Sequence, residues 1–99
     1  MAQHTNQARV NFLYAVLLGN KAEKQYRELE PKTLERVQEL FKILESTPIP
    51  FRDYDLKKLK DEEDSYRIRL SSYRVLYRVF ANEKIIRVTK IELRSDNTY

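Results

Sequence analysis

The 99-residue chain has no cysteine, no tryptophan, a single glycine, a single histidine and three prolines. Without cysteine there can be no disulfide framework, thiolate zinc site or cysteine nucleophile, and a reducing, cytoplasmic location is the natural expectation. The one histidine, His4, lies in a polar N-terminal extension over residues 1–11, so a Ser/His/Asp triad, a histidine general base or a His-rich metal site would need that extension to fold back a long way. Gly19 alone cannot build a phosphate-cradling loop. No run approaches the ~20 apolar residues of a membrane span, and the N-terminus lacks the basic start, apolar stretch and cleavage site of a signal peptide. Neither a metal, nor a cofactor, nor a membrane is expected as a partner.

What the chain does have is charge on an ordinary apolar background. Hydrophobic residues make up 41%, enough for an ordered core, and the length suits one domain over residues 1–99. Nineteen basic against fifteen acidic residues give a net charge of +4, which makes polyanions the first class of partner to consider. Placement is more informative than balance. Acids and lysines alternate from Asp53 to Asp64, whereas Tyr66 to Phe80 contains four arginines and no acid.

Hydrophobic periodicity predicts an α+β fold. Phe12 to Leu18 reads as a first strand ended by Gly19-Asn20, with Asn20 capping a short helix to about Leu29 whose apolar residues are Ala22, Tyr26 and Leu29. Pro31 suits the first turn of a second helix with a stripe of Leu34, Val37, Leu40, Phe41 and Leu44. The segment Ser46-Thr47-Pro48-Ile49-Pro50 ends it, and an extended loop follows in which Phe51, Tyr54, Leu56 and Leu59 are expected to pack over one end of the core. Three antiparallel strands complete the chain: Ser65 to Leu70, Tyr73 to Phe80 and Ile85 to Leu93, with turns at Ser71-Ser72 and Ala81 to Lys84. Strand alternation puts Ile68, Leu70, Tyr73, Val75, Tyr77 and Val79 toward the helices and gathers Arg67, Arg69, Arg74 and Arg78 on the other face. The acids Asp61 to Asp64 read as a solvated turn, because consecutive loop acids point in different directions.

An arginine fork makes paired, charge-assisted hydrogen bonds to phosphate and keeps its charge at any physiological pH. Basic residues alternating with apolar ones are also what any half-exposed strand shows, so the order of the pieces has to decide. Strand, two helices divided by a proline, a Pro-rich loop, then YRIRL, SYRVLYRV and a strand ending in Arg94 with Tyr99 after it resembles the RelE/ParE toxin superfamily. The resemblance covers roughly Phe12 to Tyr99 and is closest to archaeal RelE-type toxins through Pro48-Ile49-Pro50, Asp55-Leu56-Lys57-Lys58-Leu59, Tyr66-Arg67-Ile68-Arg69-Leu70 and Tyr73-Arg74-Val75-Leu76-Tyr77.

That resemblance implies two N-terminal helices on a curved, mainly antiparallel four-stranded sheet, and the toxin of a type II toxin–antitoxin system. It also implies a metal-independent endoribonuclease that cuts mRNA in the ribosomal A site by attack of the ribose 2′-OH on the adjacent phosphate. Arg67, Arg69, Arg74 and Arg94 then match catalytic positions, Tyr99 matches a C-terminal tyrosine that stacks on a base or relays a proton, and Arg78, Lys90 and Lys58 are RNA-binding candidates. The implied partners are the ribosome, mRNA and a RelB-like antitoxin in a heterodimer or heterotetramer. Arg67 and Arg69 depart from well-known bacterial members, which hold lysines there, one of them thought to be the general base. Arginine is effectively never deprotonated in a protein, so that task passes to Tyr99, Lys90, Glu92 or a ribosomal group. Ser72 stands where many relatives have glycine. A ParE-like gyrase inhibitor and a noncatalytic RNA- or ribosome-binding module are the alternatives, the first lacking this arginine constellation and the second leaving RNA intact.

Overall fold

The computed structural model describes residues 13–94. In chain order these form β1 (Ala15–Leu18), α1 (Asn20–Arg27), α2 (Pro31–Ser46), β2 (Asp55–Lys58), β3 (Ser65–Leu70), β4 (Tyr73–Phe80) and β5 (Ile85–Leu93). The strands make one mixed sheet in the order β1-β5-β4-β3-β2, with β1 parallel to β5 and every other pair antiparallel. Both helices pack on one face.

The sheet has five strands where the sequence pattern predicts four. The additional strand is β2, inside the stretch expected to be an extended loop. Its sequence, DLKK, holds one apolar residue, so no alternation announces it. Its pairing partner is β3, and its charged residues suit an outer strand that must not recruit another sheet. The first strand is also shorter than expected. The Tyr14 N–H donates to Glu45 O at the end of α2 (2.8 Å), and the ladder to β5 begins only at Ala15.

Helix α1 starts one residue earlier than expected: Gly19 is its cap and Asn20 its first helical residue, with no side-chain cap bond. The helix stops at Arg27, yet Leu29 is buried all the same. Pro31 opens α2, where its missing N–H costs nothing, and Val37, Leu40 and Leu44 are buried, with Leu34 and Phe41 packed half-buried beside them. Against these stand Ile68, Leu70, Val75, Tyr77, Val79, Ile86, Val88 and Ile91 from the sheet.

Two local features set up the opposite face. On β5 the register slips between Leu76↔Lys90 and Tyr77↔Val88, leaving Thr89 as an extra, bulged residue. Inward positions therefore run Ile86, Val88, Ile91, while Lys90 and Glu92 turn to the face away from the helices. The Ile91 N–H is taken up by the Gln25 side-chain oxygen of α1 at 2.8 Å. In the β3–β4 hairpin the residue with positive φ is Ser71, at 57°, rather than its neighbour Ser72. Arg36 of α2 donates to the Ser71 hydroxyl at 2.7 Å and ties the hairpin tip to the helix layer.

Phe51, expected over the core, lies in the turn after Pro50 and is 65% exposed, whereas Tyr26, Tyr54, Tyr73 and Tyr77 lie in the core or pack against it. Tyr77 is 1% exposed, donates its hydroxyl to Pro48 O at 2.8 Å and lies beside the Tyr66 ring, 5.8 Å between centroids. Burial above all, with Tyr66 adding to it, pushes the Tyr77 phenol far above its ordinary pKa. Burial likewise raises that of Tyr54, helped by the Glu39 and Asp53 carboxylates.

Candidate functional site

The sheet face turned away from the helices is organised in rows fixed by strand register. One row runs Asp55, Arg69, Arg74, Glu92 across β2, β3, β4 and β5, each residue the direct cross-strand partner of the next. The adjoining row is Lys57, Arg67, Leu76, Lys90. Side chains opposite one another on neighbouring strands sit about 5 Å apart at Cβ, so Arg69 and Arg74 form a side-by-side pair of cations flanked by a carboxylate at each end.

The acids engage the arginines. Asp55 bridges two of them, Oδ1 3.5 Å from Arg67 Nη1 and Oδ2 3.7 Å from Arg69 Nη1. Glu92 Oε2 lies 3.8 Å from Arg74 Nε, and Glu63, from the acidic turn, 3.8 Å from Arg78 Nη2. The arginines are not equally accessible. The side chain of Arg69 is 45% exposed and that of Arg74 34%, whereas Arg67 keeps only 11%. Arg67 is thus a mostly covered cation held by Asp55, while Arg69 and Arg74 are the more accessible pair.

Arg94 follows β5 directly. Its N–H donates to Ser72 O at 2.7 Å and its guanidinium to Ser71 O at 3.0 Å, which places it at the hairpin end of the arginine rows. Arg78 belongs to the same face farther along β4, its guanidinium stacked over the Phe80 ring at 4.9 Å. Lys90 shares the face because of the bulge. Lys58 does not. It pairs with Tyr66 on the helix-facing side of β2, and the lysine that reaches the arginine face is its neighbour Lys57, opposite Arg67. Tyr99, the expected stacking or proton-relaying residue, lies outside the described residues.

Two guanidiniums side by side can hold a phosphodiester through both non-bridging oxygens and stabilise charge that grows on them. Among the described residues no group of three or more His, Asp or Glu converges as a metal site, and no helix is long and apolar enough to cross a membrane.

A family model described as the ParE toxin of type II toxin–antitoxin systems, parDE, matches residues 16–98. The chain belongs to the RelE/ParE toxin family. A Methanocaldococcus jannaschii protein assigned as toxin RelE1 is 33% identical over 81 residues, which span 82% of this chain and 90% of that one. The toxin of an archaeal RelE–RelB complex from Pyrococcus horikoshii superposes with a TM-score of 0.75 at 33% identity, covering 84% of this chain and 97% of its own. The fold is shared as well by the intact E. coli RelBE complex, at a TM-score of 0.71 and 23% identity, covering 83% and 98% of the two chains.

In this RelE/ParE toxin, sequence reasoning named Glu92 among the candidate bases but missed Asp55. Asp55 sits in a stretch of alternating charges with nothing to single it out, and its role emerges only from the β2–β3 register. The bulge that turns Lys90 and Glu92 to this face does leave a trace, in the change of apolar spacing from two (Ile86, Val88) to three (Val88, Ile91).

Proposed function

We propose that this RelE/ParE toxin is a ribosome-dependent endoribonuclease that cleaves mRNA by attack of a ribose 2′-OH on the adjacent phosphate, needing no metal. The single observation that carries the reading is the Arg69–Arg74 pair, opposed across β3 and β4 on an accessible sheet face. A dianionic phosphorane carries more charge than the phosphodiester it forms from, so cations aimed at its oxygens bind the transition state better than the substrate. Arg69 and Arg74 grip the scissile phosphate. Arg94 adds charge from the hairpin end, and the more covered Arg67 fixes Asp55 and supports the field. Tyr99 supplies a ring to stack on a base or relay a proton, and Arg78, Lys90 and Lys57 follow the RNA backbone.

RelE-type members of the family are endoribonucleases, and the relatives at 33% identity are RelE proteins. The Pyrococcus and E. coli structures are toxin–antitoxin complexes, which supports a RelB-like antitoxin as the partner of this chain in a heterodimer or heterotetramer. An acidic chain that folds on contact suits a basic face of this kind. The toxin would act in the cytoplasm, where ribosomes are.

The test is a cell-free translation reaction with purified protein, cuts in the mRNA being mapped by primer extension beside Arg74→Ala and Arg94→Ala controls. Cuts in the A-site codon that disappear in both variants are expected; a variant cutting at the wild-type rate would refute the site assignment. The matching family model bears the ParE name, which favours one second reading, inhibition of DNA gyrase. Undisturbed translation together with blocked DNA supercoiling would establish it instead.

A further inference from the structure

We infer that Glu92 is the general base of this reaction, the group that takes the 2′-OH proton; the inference rests on the nuclease reading above. Attack on phosphorus requires a proton acceptor, and the two positively charged residues of β3, Arg67 and Arg69, cannot serve as one. Three carboxylates among the described residues contact the arginines of the site, and their positions separate them. Glu63 lies in the acidic turn with an 81% exposed side chain and pairs with Arg78, four residues along β4 from Arg74, about 13 Å away at strand rise. Asp55 has each oxygen engaged by a different arginine, at 3.5 and 3.7 Å, and stands on the far side of Arg69. Glu92 is in register with Arg74, at 3.8 Å from its Nε, and two residues before Arg94, which follows the strand.

Its surroundings suit the task. A side chain 35% exposed is within reach of a substrate yet partly shielded from water. Cations surround it: Arg74 from β4, Arg69 one strand farther, Lys90 from its own strand and Arg94 just beyond the end of that strand. Both helices lie on the other face. The partner strand β1 covers only Ile85 to Val88 of β5, and beyond it the Gln25 side chain of α1 takes the Ile91 N–H, so Glu92 faces the arginines across β4 and not a further strand. A phosphate held between Arg69 and Arg74 therefore has a carboxylate one strand away from its nearer cation.

The step balances without any further reactant. The Glu92 carboxylate accepts the 2′-OH proton as the 2′-oxygen bonds to phosphorus, and the P–O5′ bond breaks. The 5′-oxygen leaves with a proton from water, and Glu92 returns its proton to water. The products are a 2′,3′-cyclic phosphate and a 5′-OH.

The experiment is single-turnover cleavage on mRNA-programmed ribosomes by wild type, Glu92→Gln and Glu92→Asp, with co-sedimentation to measure ribosome binding and thermal melts to check the fold. The Gln variant should bind as wild type does but cut about 10²- to 10⁴-fold more slowly. Its residual rate should climb about tenfold per pH unit between about pH 6.5 and 8.5, hydroxide replacing the lost base, while the wild-type rate stays level. An RNA with sulfur in place of the bridging 5′-oxygen, whose departure needs no proton, should not rescue it. Cleavage by the Gln variant at near the wild-type rate, rescue by the sulfur substrate, or a loss of binding that accounts for the whole loss of rate would each overturn the inference. Should Glu92→Gln not fold, Glu92→Asp carries the test, a reduced rate with a level pH profile being expected and an unchanged rate refuting it. Wild-type protein that leaves mRNA intact would instead overturn the nuclease reading itself.

Discussion

Replacing Asp55 with Asn should tighten the grip of this face on RNA. The change keeps the shape of the side chain and removes one negative charge from between two arginines, whose Nη1 atoms lie 3.5 and 3.7 Å from its oxygens. At such separations unit charges attract by about 1 kcal/mol at the dielectric of water. Asp55 is 61% exposed, so solvent screening applies and each pair contributes about 0.2–1 kcal/mol. A phosphate approaching Arg69 has to displace that carboxylate. Without it the net gain in binding should be about 1 kcal/mol, roughly a fivefold lower Kd. The assay is fluorescence anisotropy with a short 2′-O-methyl RNA that cannot be cut, run across a salt series. The advantage of the variant should shrink as salt screens the exposed charges, and the cost in stability should stay under about 1 kcal/mol. Unchanged or weaker binding would refute the reasoning and make Asp55 a group that orders the arginines for phosphate, not one that competes with it.

Leu40→Ala should destabilise the fold by about 2–5 kcal/mol, since Leu40 is wholly buried in the α2 stripe and truncation leaves a cavity; an unchanged denaturation midpoint would refute the packing of α2 on the sheet. Tyr77→Phe should cost about 0.5–1.5 kcal/mol through the lost hydrogen bond to Pro48 O. The Tyr77 phenol is held above its ordinary value in the folded chain, so past about pH 10 the unfolded chain releases its proton first. Stability is therefore untouched below that pH and falls above it, by up to about 1.4 kcal/mol per pH unit. The fall should be shallower in the Phe variant, and equal alkaline slopes in the two melting series would refute the burial of the ring.

The fold was legible wherever burial repeats with the period of an element. Both helices, the three strands from Ser65 onward and the hairpin at Ser71-Ser72 follow from apolar spacing and punctuation, and their bounds in β3, β4 and β5 coincide with the expected ones. Where a segment buries little, no period exists to be read. That is why β2 escaped notice: Leu56 is its sole apolar residue, and what makes it a strand is the backbone of β3 alongside it. The N-terminus of α1 failed for a related reason. Asn20 is a good capping residue, but Gly19, whose N–H donates to Val88 O at 2.9 Å, brings the chain off the sheet at the point where the helix has to begin.

The site divides along the same line. Alternation alone is enough to gather Arg67, Arg69, Arg74 and Arg78 on one face, because it concerns one strand at a time. Which arginine faces which group is a property of register, and register depends on the hairpin at Ser71 and on the bulge at Thr89. One residue of slip on β5 would send Glu92 to the helix side and bring Ile91 opposite Arg74 in its place. The chemistry of this face is thus set by residues that bear no charge. Pairing Thr89 with Leu76 in a ladder without the bulge would separate Arg74 from its carboxylate while leaving every candidate catalytic side chain in the sequence, whereas deletion of Thr89 would close the bulge and keep Lys90 opposite Leu76 and Glu92 opposite Arg74.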